Sequence, residues 1–386
     1  MKKICMLSLL TAFITSGCSS AAEEPPLSLP AAQKNPVQEQ PPASAPLTSA
    51  LPAQTAAPET DAVPEPEVLA ANLEVPWSIA KAGDVLYITE RTGSIVKIDN
   101  GTAVKQRVEL KKELADVSEA GLLGLALDPD FVETGLAYAY YTYNDGSGPF
   151  NRIVTLRLEE DAWKEEDLLL DRIPSGSVHH GGRLGIGPDG KLYATAGDAG
   201  DAEIAQERGS LGGKILRLNL DGSVPEDNPF ADSYVYSYGH RNAQGLAWTD
   251  DGVLYASEHG NRSHDEINEI EAGLNYGWPV IEGEEQREGM VTPLFTSGGD
   301  TTWAPSGMAY ADGRLYAAAL RGSAILAFDL ETGGEREVVT GYGRVRDVLI
   351  ADGMLYFVSN NTDGRGSPQK EDDKLYRVSL SALDEG

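Results

Sequence analysis

Asp250-Asp251-Gly252-Val253-Leu254-Tyr255 is an acidic tight turn running into an apolar strand, and the chain keeps returning to that form. Close copies are Pro188-Asp189-Gly190-Lys191-Leu192-Tyr193, Ala311-Asp312-Gly313-Arg314-Leu315-Tyr316 and Ala351-Asp352-Gly353-Met354-Leu355-Tyr356. Gly83-Asp84-Val85-Leu86-Tyr87 is a shorter version, and Thr134-Gly135-Leu136-Ala137-Tyr138 a looser one. The Asp-Gly pairs supply the positive φ that a hairpin turn needs. Copies fall roughly 40 to 60 residues apart, the span of a blade of four short strands. A following strand is marked after most of them, at 93–98, 151–156, 214–218 and 323–328. Six copies predict an all-β fold, a six-bladed β-propeller of four-stranded antiparallel blades over residues 68–386. The strand Lys374-Leu375-Tyr376-Arg377-Val378 is expected to pair with the first strand and close the ring. Helical periodicity is nearly absent, with one short helical turn expected within 110–117.

The balance of 31 Lys and Arg against 60 Asp and Glu gives a formal charge of −29. That excludes a grip on nucleic acid or anionic lipid, because nothing basic is left over to neutralise phosphates. Both cysteines, Cys5 and Cys18, lie at the N-terminus. Lys2 and Lys3, an apolar run over 4–14 and Thr15-Ser16-Gly17-Cys18 read as a signal peptide of residues 1–17, too short to span a membrane. The small residues before Cys18 resemble a bacterial lipobox, although Thr15 stands where such boxes usually carry Leu. Cys18 is then the lipidated first residue, and the expected location is that of an exported lipoprotein at the outer face of the cell membrane or in the periplasm. Its membrane contact is only through that anchor. Cleavage leaves no cysteine, so the core carries stability without disulfides. Residues 18–67 are rich in Ala, Pro, Gln, Glu, Ser and Thr, and read as a disordered tether.

Candidate chemistry sits in the polar loops between strands. The stretch 258–268 is dense in oxygen donors and bounded by glycine, which suits a hard cation such as calcium. Arg241-Asn242 beside it suggests an anionic ligand, since the guanidinium fork matches a carboxylate. His179-His180-Gly181-Gly182 offers a general base near neutral pH, or a hydrogen-bonded turn histidine. Gly197-Asp198-Ala199-Gly200-Asp201 taken alone is a weak signal. Arg344-Val345-Arg346 places two guanidinium groups on one face of a strand, costly unless an anion lies between them; the bland alternative is an exposed ion-pair strand with Asp347. Ser118-Glu119-Ala120-Gly121 starts an inner strand. Trp303 suits stacking on a sugar or planar cofactor, and equally suits the core.

Taken together these motifs resemble a known family over nearly all of residues 73–378. They are Val75-Pro76-Trp77, Glu119-Ala120-Gly121-Leu122-Leu123-Gly124, His179-His180-Gly181-Gly182-Arg183-Leu184, Gly239-His240-Arg241-Asn242 and Gln244-Gly245-Leu246. Glu258-His259-Gly260, Asp265-Glu266-Ile267-Asn268, Asn275-Tyr276-Gly277-Trp278-Pro279 and Arg344-Val345-Arg346-Asp347 follow in order. The set is similar to the soluble quinoprotein sugar dehydrogenases of the glucose/sorbosone dehydrogenase family, which carry pyrroloquinoline quinone (PQQ) on a six-bladed propeller. The resemblance implies that His179 is the catalytic base. Arg241 and Asn242 would contact the quinone, with Glu119, Arg321, Arg344 and Arg346 around its other oxygens and carboxylates. It implies that the carbonyls of Gly260 and Asn261 ligate a Ca2+ ion bridging to PQQ, and that Glu266 and the Tyr276 carbonyl hold a further Ca2+. Trp303 would flank a small-molecule sugar, oxidised to a lactone while electrons leave to an external acceptor.

Three departures qualify the likeness. Val178 stands where well-known glucose-oxidising relatives have an acidic residue before the base, and Asp198 is the carboxylate available to replace it. Arg321 stands where lysine is usual. The long insertions that shape the sugar pocket in some relatives are missing before Trp303, which implies an open, unselective site. Two other classes fit the same blades: a non-catalytic calcium-binding propeller recognising a glycan or protein partner, and a calcium-dependent lactonase. The paired arginines have no clear task in the second.

Overall fold

The computed structural model describes residues 65–383. The expected signal peptide, the lipidation site Cys18 and the tether up to residue 64 lie outside the described residues. Within them the chain is all-β, with 24 strands, one α-helical turn at Phe131–Thr134 and two 3-10 turns. The helical turn expected within 110–117 is not there. That stretch is irregular, with a bridge from Leu114 to Tyr143, and the α-turn forms instead at Phe131–Thr134, closed by Gly135 at φ 67°.

Four sheets hold four antiparallel strands each. Three are continuous in sequence, running from Leu184–Ile186 to Val235–Tyr238, from Ala243–Trp248 to Phe295–Thr296, and from Pro305–Ala311 to Glu335–Thr340. The fourth combines both ends of the described chain. Glu67–Ala70 pairs antiparallel with Leu375–Ser379, as the sequence predicts, beside Met354–Ser359 and Val345–Ala351. Every repeat copy supplies the second strand of its set, for example Leu254–Glu258 and Arg314–Ala319. At the turn before the latter, Asp312 and Gly313 have φ of 48° and 78°, the pair of positive values that a type I′ hairpin demands.

One expectation is corrected. Pro76–Ala82 to Thr102–Glu109 and Leu122–Leu127 to Ala162–Pro174 do not form two separate four-stranded sheets but one eight-stranded sheet. They join edge to edge through a parallel seam, Arg107 opposite Ala162, Val108 opposite Trp163 and Glu109 opposite Lys164. The reason is a buried tryptophan. Trp163 is 0% exposed, stacks on Phe131 and packs edge-on to Tyr87, and its indole N–H donates to Gln106 Oε1 at 2.9 Å. Burying an indole of this size requires a partner for its N–H, and the neighbouring edge strand supplies it.

The first strands of the six sets touch in succession. Pro76–Ala82 contacts Leu122–Leu127, which contacts Leu184–Ile186, then Ala243–Trp248, Pro305–Ala311 and Val345–Ala351, which returns to Pro76–Ala82. Antiparallel register then places the start of each first strand beside the end of the second: Pro76 opposite Glu90, Ala243 opposite Glu258, Pro305 opposite Ala319, Val345 opposite Ser359. The loops carrying Arg91, His259, Arg321, Arg344 and Asn360 therefore emerge at one end of the sheets. Residues hundreds of positions apart meet there.

Candidate active site

His179 lies not in a strand but in the loop before Leu184–Ile186, with φ 61°. A Cβ on Gly197 would fall 2.0 Å from the His179 carbonyl oxygen, so only glycine lets the next loop come this close. That approach brings in Asp198, whose Oδ1 is 2.7 Å from His179 Nδ1. Asp198 is buried, and every contact it accepts is a donor: His179 Nδ1, the Gly200 amide at 2.8 Å and Trp278 Nε1 at 2.9 Å. Burial pushes its carboxyl up, but the hydrogen bond and charge of His179 and the other donors outweigh that and hold it below its usual value. The carboxylate fixes the proton on Nδ1 and leaves Nε2 as the basic nitrogen. His180 differs. Its Nδ1 is 2.8 Å from Ser175 Oγ and its Nε2 2.8 Å from the Ser118 carbonyl, and burial holds its pKa down. With both nitrogens engaged it is the structural member of the pair.

Trp278, quoted only as part of a motif in the sequence, links this dyad to Arg241. Its N–H holds Asp198 while the Arg241 guanidinium lies over its ring, 5.4 Å from the centroid. Gln206 in turn donates to the Trp278 carbonyl at 2.6 Å, and the turn carrying Gln206 is tied down by buried Lys214, whose Nζ donates to the carbonyls of Ile204, Ala205 and Gly212. Because the indole N–H helps to hold the Asp198 pKa down, Trp278→Phe should raise it. With one of its three donors gone, Asp198 orients His179 less well and kcat should fall about tenfold; an unchanged kcat would make Trp278 mere packing.

Two adjoining cavities share part of their lining. The larger, about 1000 Å3, is lined by His259, Ala304, Leu320, Arg321, Arg344 and Arg365 among others. The smaller, about 140 Å3, shares His259, Leu320 and Arg365 and adds Arg91, Glu119 and Arg346. His179 lines neither, but its amide donates to Glu119 Oε2 at 3.2 Å, which places it one residue behind the smaller cavity. Arg344 and Arg346, expected to share a face, divide between the two. Arg344 donates from Nε and Nη2 to Asp363 Oδ2 at 3.0 and 2.8 Å. Arg346 is buried, with Nη1 donating to Gln244 Oε1 at 2.8 Å. Burial, then the charges of Arg91 and Arg344, push Arg346 down to about 9 against the pull of Asp363 and Glu119, still protonated at neutral pH. Arg321 is exposed at the rim. Trp303 is 8% exposed and packs edge-on to Phe328 in the core; its neighbour Ala304 is the residue at the cavity wall.

The electrostatics ask for an anion. Arg241 Nε, Arg346 Nε and His259 Nε2 are buried without hydrogen-bond partners, a costly state for charged or polar atoms unless a ligand completes it. His259 is kept neutral by burial, reinforced by Arg346 and Arg241 against the pull of Asp265 and Glu119. Asn242 Oδ1 accepts from the Gly181 amide at 3.0 Å, which leaves its amide N–H groups to give.

A cation also fits. Glu258 and Glu266 lie directly opposite one another in register, and both border a narrow cleft with Arg241, His259, Gly260 and Tyr276. Glu258 Oε2 is 2.8 Å from His240 Nδ1. Burial, then the charge of Glu258, push the Glu266 carboxyl well up, as expected of like charges crowded together. Among the described residues no three His, Cys, Asp or Glu side chains form a metal cluster, so a cation here would need backbone carbonyls as well. Asp265 anchors that backbone. It is 2% exposed and accepts from the Gly260 amide at 2.9 Å and from the Trp303 and Ala304 amides at 2.6 and 2.9 Å. Asn261 is exposed beside it.

Sequence reading alone missed Arg91, His259, Asp363 and Arg365. The last two sit in Asn360-Asn361-Thr362-Asp363-Gly364-Arg365-Gly366, a polar, glycine-bearing loop following a second strand, the same signal that singled out 258–268.

These cavities and dyad occur on a chain that belongs to the glucose/sorbosone dehydrogenase family, whose sequence profile matches residues 73–377. An aldose sugar dehydrogenase from Streptomyces coelicolor, solved in its PQQ-bound form, is 38% identical with a TM-score of 0.76, covering 81% of this chain and 96% of that one. Aldose sugar dehydrogenase YliI of Escherichia coli is 30% identical over 357 residues, 82% of this chain and 94% of its own. Quinoprotein glucose dehydrogenase B of Acinetobacter calcoaceticus is 35% identical over 257 residues, 58% of this chain and 54% of that protein.

Proposed function

We propose that the protein is a quinoprotein aldose dehydrogenase on a six-bladed propeller, binding PQQ and Ca2+ and oxidising the anomeric hydroxyl of a sugar to a lactone. The observation that carries this is a set of buried, unpartnered donors on neighbouring groups: His259 lines both cavities and Arg346 the smaller one, Arg241 shares a narrow cleft with His259, and the His179–Asp198 dyad meets the wall of the smaller cavity at Glu119. A planar tricarboxylate is the kind of ligand such forks match. When bound, the quinone supplies the two-electron acceptor that no side chain can, and Ca2+ polarises it.

The remaining tasks belong to the chain. His179 Nε2 takes the proton of the anomeric hydroxyl while Asp198 holds the imidazole and balances its new charge. Arg241 and the Asn242 amide N–H groups would hold the quinone, and Arg344, Arg346 and Arg321 would supply the positive charge for its carboxylates. The Gly260 and Asn261 carbonyls would hold one Ca2+, and Glu266 with the Tyr276 carbonyl a second. Burial pushes the Glu119 carboxyl up, but Arg365, the His179 amide and His259 together hold it down to about 2 in the empty protein, where it is an anion. The six first strands touching in a closed succession support the six-blade reading. Electrons leave to an external acceptor, from a protein exported and anchored at Cys18.

The test mixes purified protein with PQQ and Ca2+, follows absorbance, then adds aldoses with a dye acceptor. Saturable PQQ binding and sugar-dependent dye reduction are expected. Failure of PQQ to bind overturns the reading.

A further inference from the structure

The smaller cavity carries a feature that the cofactor alone does not explain. Two carboxylates, Glu119 and Asp363, lie in the wall of a space that also holds Arg91, Arg346 and Arg365; Asp363 is taken up by Arg344, which leaves Glu119, itself ionised, facing the space. Left bare, it would repel any carboxylated ligand entering beside it. Arg365 covers it: its Nη1 is 2.7 Å from Glu119 Oε1, with the two side chains 54% and 22% exposed. This pair spans from the loop that follows Met354–Ser359 to the loop before Leu122–Leu127, and Arg365 lines both cavities.

The loop on the Arg365 side is firmly held. Asp363 Oδ1 accepts the Arg365 amide at 2.8 Å, and its Oδ2 accepts Arg344 Nε and Nη2 together with Asn360 Nδ2. Asp373 fixes the stem, accepting from the Asn361 and Thr362 amides. The backbone is thus pinned while the long Arg365 side chain is half in water. Its side chain pairs with Glu119, the group with which a bound anion would compete for it.

Resting on the function proposed above, we infer that Arg365 is an exchangeable counter-ion and latch at the join between the two cavities. In the empty protein its guanidinium neutralises Glu119. When a carboxylated planar ligand enters, the guanidinium passes to a ligand carboxylate and holds it, while Glu119 keeps the His179 amide through Oε2. Arg365 is a positioning residue for the cofactor, reached by movement of a side chain and not of the loop.

The experiment uses stopped-flow binding of PQQ to the apoprotein in the presence of Ca2+, read by intrinsic tryptophan fluorescence, on four proteins. Arg365→Gln should raise the dissociation rate constant about tenfold, the loss of one exposed charge-assisted contact. Glu119→Gln, which frees Arg365 in advance, should raise the association rate constant severalfold at low salt and lose that advantage at high salt. The double variant should still dissociate fast, because the clamp is gone whether or not Glu119 is charged. If the double variant instead returns to the wild-type dissociation rate, Arg365 only masks Glu119 and the latch is overturned. Wild-type dissociation from Arg365→Gln overturns it too, while leaving the proposed function standing. No binding by the wild type would instead defeat the functional reading itself. A thermal melt of each variant guards against misfolding, and the opposite kinetic signatures of the two single variants cannot both arise from a loss of structure.

Discussion

Asp198→Asn should lower the rate of sugar oxidation about a thousandfold while leaving PQQ affinity within about threefold of wild type. The carboxylate meets three donors, His179 Nδ1 and the Gly200 amide on Oδ1 and Trp278 Nε1 on Oδ2. An asparagine amide has one acceptor oxygen and one donor nitrogen. With the nitrogen at the Oδ2 position it faces the indole N–H. With the nitrogen at Oδ1 it faces the Gly200 N–H and drives the His179 proton to Nε2, the atom that must stay basic. Either orientation leaves buried donors opposed, at a cost of about 1–3 kcal/mol of stability. The two effects separate in a double variant. Adding Trp278→Phe removes the opposed indole, so Asp198→Asn/Trp278→Phe should regain melting temperature without regaining rate. His179→Ala should lose at least as much rate as Asp198→Asn, and the pair together little more than either, since they act as one unit. A thermal midpoint and a dye-linked assay on these variants decide the matter. Near-normal turnover in either single variant would remove the dyad from the chemistry.

The sequence exposed different parts of this molecule unequally. Strand sets were legible because an Asp-Gly turn must be followed by a strand, and because apolar residues such as Leu315 and Tyr316 recur in the same register. Ring closure by Leu375–Ser379 followed from counting. The parallel seam through Val108 and Trp163 was not legible: edge pairing between neighbouring sets depends on where one indole finds its acceptor, Gln106, and no local pattern announces that. In the site, charged groups on glycine-bounded loops were visible, but their partners were not. Asp198 could be named as a substitute carboxylate, yet its contact with His179 depends on Gly197 having no Cβ. Trp303 shows the converse limit. A tryptophan in a loop reads alike whether it faces a ligand or Phe328, and only packing distinguishes them.

Arg346→Met should weaken PQQ binding by about 10² to 10³-fold and yet leave the fold as stable as before or slightly more so. Most buried arginines would give the opposite result, because their removal strands a partner carboxylate. Arg346 has no such partner among its direct contacts. It donates to neutral groups, Gln244 Oε1 at 2.8 Å and Ser306 Oγ at 3.3 Å, its Nε has none, and burial and the charges of Arg91 and Arg344 oppose its ionisation more than the more distant charges of Asp363 and Glu119 favour it. Its charged form is therefore held in the empty protein at a cost. Methionine keeps the apolar stem and removes the charge. The lost hydrogen bonds to Gln244 and Ser306 cost about 1–2 kcal/mol, while release from burying an unpaired charge returns several, for a net gain of about 1 kcal/mol or a shift of about 2 °C. Ligand binding loses the reverse of that: a desolvated cation aimed at a carboxylate is worth about 2–5 kcal/mol where water is excluded. A residue that destabilises the empty protein and stabilises the filled one is what a preorganised binding site requires. Calorimetric melts with and without PQQ test both halves on one sample. A variant that melts several degrees lower would show that Arg346 supports the fold, and one that still binds tightly would show that the anion is held elsewhere.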